Sequence, residues 1–329
     1  MLFQGGFLNK LTVVIPTYGR ADKILQSIYS CMHPRIFIVV IDDNGLNTTN
    51  QIVTKKLIDS ISSEFSNNLL YYALEINSGA CIARNKGIEI ANTSVVTFLD
   101  DDDMLLIEET LDKLDFFTQQ TECDVCCSDM FSKFNGKNYQ LDFCQFRGVT
   151  SYDLLEDGNC YTPMVMARKE ALLLIGGFDN CKKYQDHVLI LKIHLNDLNV
   201  FYFNKPTFIH VDHDEYRISN KTCSYQTVKL RFEYEYQLLE NLELERDDYA
   251  RLKSIITDRK SLLCFYYIVM PRLNTFIKRF IGTKRLFYSI NKDESSLFVT
   301  FKSFLYALRT IDGLPFIIKR VAYRLKGKS

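Results

Sequence analysis

Leu11-Thr12-Val13-Val14-Ile15-Pro16 is a short β-branched apolar run closed by proline, the mark of a buried strand. Between Asp22 and Met32 the apolar residues fall at Ile24, Leu25 and Ile28, with Cys31 and Met32 following, which is helical spacing. Ile36 to Ile41 is a second apolar run without alternation, and it ends in Asp42-Asp43-Asn44-Gly45. The pattern then predicts a helix over 50–65, a strand over 69–74, a helix over 79–91 and a strand over 95–99. Strands apolar on both faces and separated by helices predict an α/β fold with a parallel sheet covered on both sides. In such sheets ligands bind beyond the carboxyl ends of the strands. The polar clusters lie there: Thr17-Tyr18-Gly19-Arg20 after the first strand, Asp42-Asp43-Asn44 after the second, and Asp100 to Asp103 after the fourth. Three polar groups far apart in sequence are thereby expected to converge on one crevice.

Beyond residue 104 the pattern loosens. It predicts a helix over 105–119, a strand over 124–128, and turn-rich polar sequence to about residue 159. A helix over 168–175 ends at Gly176-Gly177, a helix over 186–198 follows, and 201–203 reads as a strand. From Thr227 onward helical spacing dominates. A globular domain of residues 1–225 is therefore expected, divided into halves 1–115 and 116–225, followed by a helical C-terminal region of 226–329.

The 329 residues are 47% hydrophobic and 24% charged, which excludes wholesale disorder. Forty basic residues balance forty acidic ones, but unevenly along the chain. Residues 251–329 hold 17 Lys/Arg and 4 Asp/Glu, a net of +13, so residues 1–250 carry a net of −13. Within the basic part, 271–281 and 316–324 mix cationic and bulky apolar residues at helical spacing, a composition suited to peripheral contact with an anionic membrane. The plainer alternative is that these faces pack on the globular domain. No nucleic-acid recognition motif accompanies the charge. The longest apolar stretch, Leu262 to Met270, has 9 residues, against roughly 20 for a membrane-crossing helix. The ten cysteines form no regular framework, and no leader pattern opens the chain, which predicts free thiols and a cytoplasmic location. Cys123-Asp124-Val125-Cys126-Cys127 contains one C-x-x-C without a second ligand pair, so buried thiols on a strand are expected rather than zinc.

Adjacent carboxylates repel, so Asp100 to Asp103 stay ionised most easily around a cation. Hard ions such as Mg²⁺ take one or two carboxylates and complete their shell with phosphate oxygens. In extended backbone Asp100 and Asp102 would face one ligand. The alternative is a solvated acidic start to the next helix, with Asp103 as its cap. Asn77-Ser78-Gly79-Ala80 opens a helix through a small-residue turn, and Arg84 and Lys86 near its start suit an anion. The G-x-G-x-x-G fingerprint is absent, which argues against a dinucleotide site.

Val14-Ile15-Pro16-Thr17-Tyr18-Gly19-Arg20, Ile38-Val39-Val40-Ile41-Asp42-Asp43, Asn77-Ser78-Gly79 with Ala83-Arg84-Asn85-Lys86-Gly87-Ile88, and Phe98-Leu99-Asp100-Asp101-Asp102-Asp103 together resemble the inverting family 2 glycosyltransferases of GT-A fold. The resemblance implies a Rossmann-like, mostly parallel sheet and a nucleotide-sugar donor. It implies that the Pro16-Thr17-Tyr18 loop and the aspartate after the second strand hold base and ribose, with Arg20, Asp42 and Asp43 in the nucleotide-sugar site. Gly79, Arg84, Asp100 and Asp101 also fall in the implied donor site. Asp100 and Asp102 match the family's D-x-D, Asp102 being the more direct ligand of Mn²⁺ or Mg²⁺, with the register open by one residue within the run. Gly19 stands where the family usually has Asn, and Asn-Gly follows Asp43 rather than Gly-Ser. Further along, Gly176-Gly177-Phe178-Asp179 and Tyr184-Gln185-Asp186-His187 resemble the family's Gly-Gly-Phe-Asp segment and acidic pair. Gln185 replaces the commoner Glu, which leaves Asp186 as the implied catalytic base; the alternative is a helix cap. His213 and Arg217, in the stretch after His210, match a variable region laid over the diphosphate in some members. The expectation is an inverting, metal-dependent transferase acting on a glycan or lipid-linked acceptor, of bacterial surface-polysaccharide type, at the inner face of the cytoplasmic membrane. The alternatives are a sugar-phosphate nucleotidyltransferase, which usually carries a glycine-rich basic loop absent here, and a non-catalytic sugar-nucleotide or membrane-binding module.

Overall fold

A computed structural model describes residues 10–65, 67–134, 141–212 and 225–264. The first strands form where the apolar runs stand. β1 (Leu11–Thr17) is buried at every position and β2 (Ile36–Asp42) at all but Phe37, because both faces are covered by helices. β3 (Leu69–Ala73) alternates between half-buried and exposed residues, as suits an edge strand, and β4 (Val95–Phe98) is buried throughout. These four run parallel in the order β3-β2-β1-β4. They are linked by α1 (Ile24–Ser30), α2 (Thr49–Ile61) and α3 (Ala80–Ile90). Thr48 caps α2 by accepting the Gln51 N–H at 3.2 Å. Helix α3 lies so close on β1 that a Cβ at Gly87 would fall 2.2 Å from Val14 Cγ1, so only glycine fits there.

Past β4 the sheet becomes mixed. β5 (Met104–Leu105), α4 (Ile107–Gln119), β6 (Val125–Phe134), β7 (Leu141–Cys144), α5 (Ser151–Asp157), β8 (Val165–Arg168), α6 (Lys169–Leu174), α7 (Gln185–Leu195) and β9 (Val200–Asp212) follow in order. β8 lies antiparallel between β4 and β6, β9 runs parallel to β6, and β5 pairs antiparallel with β9. The turn-rich reading of residues up to 159 is corrected by β7 and α5, the latter capped by Thr150. The strand read at 201–203 extends to Asp212, because register shifts in the β6–β9 pairing accommodate Pro206. Cys123, Cys126 and Cys127 are fully buried free thiols at the start of β6. Buried Lys113 donates to Ser128 Oγ at 2.9 Å and to the Met164 carbonyl at 2.7 Å, fastening the single turn of 3₁₀ helix at Thr162–Met164.

The chain divides into two compact units, Met1–Tyr216 and Arg217–Ser329. In the second, α8 (Tyr225–Asn241) and α9 (Arg246–Cys264) pack on each other. Between them the buried Glu235 carboxylate accepts from Arg231 Nε at 2.9 Å and Arg259 Nη1 at 3.0 Å. Among the described residues no helix is long and apolar enough to cross a membrane. The basic segments 271–281 and 316–324 lie outside the described residues.

Candidate active site

The parallel register sets β2, β1 and β4 side by side, with β1 and β2 ending together and β4 ending opposite Val14, so that the aspartates after β4 come level with Thr17. Thr17 is the partner of Asp42, Asp43 N–H donates to the Thr17 carbonyl at 2.9 Å, and Leu99 N–H to the Val14 carbonyl at 3.0 Å. Pro16 is buried within β1 opposite Ile41 and shapes the strand end from inside. Tyr18, just beyond, is 54% exposed. Gly19, at φ +68°, donates its N–H to Asn44 Oδ1 at 2.8 Å, binding the first loop to the second. Asp42 is fully buried. Its Oδ1 accepts from Asn44 N and Nδ2 at 2.8 and 2.7 Å, and its Oδ2 from the Tyr71 hydroxyl at 2.7 Å. Asp43 turns the other way and accepts from Ser78 N at 2.6 Å and Gly79 N at 2.8 Å. It therefore ties the end of β2 to the turn that opens α3. Burial pushes the Asp43 carboxyl up, while these two N–H donors pull it down.

The four aspartates form a turn rather than an extended segment, with Asp103 N–H donating to the Asp100 carbonyl at 3.1 Å. Extended backbone would send alternate side chains to one side; the turn spreads the four over three sets of partners, with Asp101 and Asp102 sharing Arg20. Asp100 Oδ1 accepts from Arg84 Nη2 at 2.6 Å. Asp101 accepts from Thr17 Oγ1 at 2.7 Å and from Arg20 Nη1 at 3.0 Å. The same Arg20 nitrogen reaches Asp102 Oδ2 at 2.6 Å. Burial lowers the Arg20 guanidinium, but the charges of Asp101 and Asp102 outweigh it and leave it raised. Asp103 does not cap α4, whose cap position is Leu106 without a side-chain bond. It is buried instead, accepting from Val211 N at 2.9 Å with His210 Nδ1 at 3.1 Å, so the aspartate run grips the end of β9.

Asp186 is likewise not the cap of its helix. Helix α7 starts one residue earlier, at Gln185, and Tyr184 before it sits at φ +59°. Asp186 occupies the first turn, where a carboxylate is favoured by the helix dipole, and its Oδ1 accepts the His187 N–H at 2.8 Å. Arg84 spans the gap to the aspartates. It is buried on α3, gives Nη2 to Asp100, gives Nη1 to Gln185 Oε1 at 2.7 Å, and lies over the Phe178 ring at 5.5 Å. Its buried Nε has no hydrogen-bond partner. A chain of short polar contacts thus runs from Arg20 through the aspartate turn to Arg84 and Gln185, next to Asp186.

Asp101 gives this network a pH dependence. Burial pushes its carboxyl up to about 7 from 3.8, against the pull of Arg20 and Thr17. Between those values the folded chain holds a proton that the unfolded chain has lost. The stability this group contributes is full below 3.8 and falls as pH rises through about 7. Asp101→Asn is expected to flatten the decline in urea midpoint between about pH 5 and about pH 7.5 relative to the parent. Parallel pH profiles for the two proteins would reject this.

Sequence reasoning brought together Thr17, Arg20, Asp42, Asp43, Gly79, Arg84 and Asp100 to Asp103, and the structure joins all of them by hydrogen bonds or turns. It placed Asn44 in the second polar cluster without its role as the link between the first two loops, and it did not single out Asn85, which contacts Phe178, 93 positions away. Asn85 stands inside a quoted motif, but no local signal marks its partner. His213 and Arg217 lie outside the described residues. Among the described residues no cluster of three or more His, Cys, Asp or Glu forms a cage for an ion. The donor set does fit an ion that binds through few protein ligands. Asp100 has a side chain 35% exposed, Asp102 is its near neighbour, and Mg²⁺ or Mn²⁺ takes one or two such carboxylates with phosphate oxygens and water.

Residues 12–174 match the family Glycosyl transferase family 2. The chain is 27% identical over 224 residues to the glycosyltransferase GlyA of Streptococcus pneumoniae, covering 61% of this chain and 30% of that protein. It is 33% identical over 102 residues to the GalNAc(5)-diNAcBac-PP-undecaprenol beta-1,3-glucosyltransferase of Campylobacter jejuni, covering 30% of this chain and 31% of that protein. The chain thus spans about a third of the length of each of these relatives. Among solved structures, S. aureus TarS residues 1–349 in complex with UDP-GlcNAc superposes with a TM-score of 0.59 at 21% identity, covering 78% of this chain and 73% of that one. That likeness establishes the GT-A fold.

Proposed function

Because residues 12–174 make this chain a member of glycosyl transferase family 2, we propose that it moves a sugar, with inversion, from a UDP-sugar to a hydroxyl of a glycan or lipid-linked saccharide. The observation that carries the reading is the run of polar contacts from the aspartate turn through Arg84 to Gln185, beside Asp186. It sets two arginines among the carboxylates of the strand ends next to a carboxylate at a helix start, an arrangement that supports transfer between a diphosphate donor and a hydroxyl acceptor. In this mechanism Asp186 takes the proton of the acceptor hydroxyl. The acceptor oxygen attacks the anomeric carbon from the face opposite the diphosphate, and the bond from that carbon to the diphosphate oxygen breaks. Asp102, with Asp100 beside it, would hold a divalent cation, which when bound would supply Lewis-acid neutralisation of the leaving diphosphate. Arg84 adds fixed positive charge, and exposed Tyr18 offers a ring at the mouth of the first loop.

The UDP-GlcNAc complex of TarS and the undecaprenol-linked substrate named for the Campylobacter protein support the donor and acceptor classes. The charge of residues 251–329 supports attachment to the inner face of the cytoplasmic membrane, where a lipid-linked acceptor is held. Titration calorimetry with UDP-glucose, UDP-galactose and their N-acetylated forms, with and without Mn²⁺, tests the donor. At least one is expected to bind more tightly with the ion and to release UDP on incubation. No binding by any of the four would reject the UDP-sugar reading.

A further inference from the structure

We infer that α3 acts as a clamp that positions Asp186, with Asn85 and Gln185 as its positioning residues; the inference rests on Asp186 being the base. Three residues on two successive turns of α3, Cys81, Arg84 and Asn85, hold the 177–185 segment at separate points. Asn85 makes a two-way bond to one backbone unit: its Nδ2 donates to the Phe178 carbonyl at 2.8 Å and its Oδ1 accepts the Phe178 N–H at 2.8 Å. Cys81 Sγ approaches the Cys181 carbonyl at 3.5 Å. Arg84 Nη1 donates to Gln185 Oε1 at 2.7 Å, and Gln185 Nε2 returns a bond to the Cys181 carbonyl at 3.0 Å.

The segment needs such support. Gly176, Gly177 and Tyr184 all lie at positive φ, and a non-glycine residue such as Tyr184 holds that conformation only when its surroundings over-determine it. Gly177 is also fitted to the clamp, since a Cβ there would fall 2.3 Å from Asn85 Oδ1. The same helix is fixed at its start by Asp43, which accepts the Ser78 and Gly79 N–H groups. Helix α3 thereby sets the distance between the nucleotide-side loops and Asp186. An error of about 1 Å in such a distance costs as much as about 10²-fold in rate. Neither Asn85 nor Gln185 needs to touch substrate to matter.

The test compares Asn85→Ala, Gln185→Leu and Gln185→Glu for UDP release from whichever UDP-sugar turns over, UDP affinity by calorimetry, and thermal melting. Asn85→Ala and Gln185→Leu are expected to turn over about 10- to 100-fold more slowly, with UDP affinity within about twofold of the parent. Gln185→Glu still accepts from Arg84 but gives up the bond to the Cys181 carbonyl, so it is expected to turn over faster than Gln185→Leu while remaining below the parent, a difference that a purely structural role would not produce at equal melting temperature. Normal turnover in both truncated variants, or loss of UDP affinity in step with turnover, would overturn the inference. Where Asn85→Ala melts below the assay temperature, the Gln185 pair decides. Asp186→Asn is measured alongside. If it stays active the base reading fails; if it is inactive while the truncated variants turn over normally, only the clamp fails.

Discussion

Asp186→Asn is expected to bind UDP as the parent does and to lose transfer by about 10²- to 10⁴-fold, the usual contribution of a positioned general base. The substitution is well matched to the question. Asparagine keeps an Oδ1 that can accept the His187 N–H, so the first turn of α7 retains its local bond. What it removes is the capacity to take a proton and one negative charge. Arg84 meets Asp100 and Gln185, and the substitution leaves both contacts in place, so donor affinity has no direct reason to change. Calorimetry with UDP and a discontinuous assay of UDP release separate the two quantities. Turnover within about threefold of the parent would remove Asp186 from the chemistry, because a carboxylate that served only the helix dipole would cost stability instead.

The parallel half of the molecule was readable because its strands are buried on both faces. Val13-Val14-Ile15 and Ile38-Val39-Val40-Ile41 have no polar alternation, and only a sheet covered by helices accounts for that. The polar strand ends followed from the fold rule. The mixed half resisted for local reasons. Val165 to Arg168 is four residues long and runs straight into a helix, and periodicity cannot divide so short an apolar run. The strand read at 201–203 stops short of Pro206, yet β9 passes through it because β6 shifts register opposite Pro206. The aspartates were found, but not their divergence. Arg20, Arg84 and His210 come to them from 16 to 107 residues away, and the choice of partner depends on the turn at Asp100–Asp103. Asn85 shows the same limit: its clamp on Phe178 exists only once α3 lies on β1 at the Gly87–Val14 contact.

Asp102→Ala is expected to abolish the gain in UDP affinity produced by Mn²⁺ or Mg²⁺, and to slow transfer by about 10²- to 10³-fold, the scale of several kcal/mol of charge stabilisation. The fan of partners makes the four aspartates distinguishable. Asp101 is held by both Thr17 and Arg20, and buried Asp103 by His210 and the Val211 N–H, so they are structural neighbours of the candidate ion site. Asp100 and Asp102 each meet one arginine, and Arg20 remains held by Asp101 when Asp102 is truncated. The Ala variant therefore deletes one carboxylate without releasing the arginine that neutralises it. Two calorimetric titrations of UDP, with and without Mn²⁺, give the ratio that matters. For the parent that ratio is expected to be about tenfold or more, or 1.4 kcal/mol, and for Asp102→Ala close to one. If Asp102→Ala keeps the parent's ratio while Asp100→Ala loses it, the register of the motif moves to Asp100. If both keep it, the aspartate turn holds no ion, and its carboxylates serve only to fasten Arg20 and Arg84 at the strand ends.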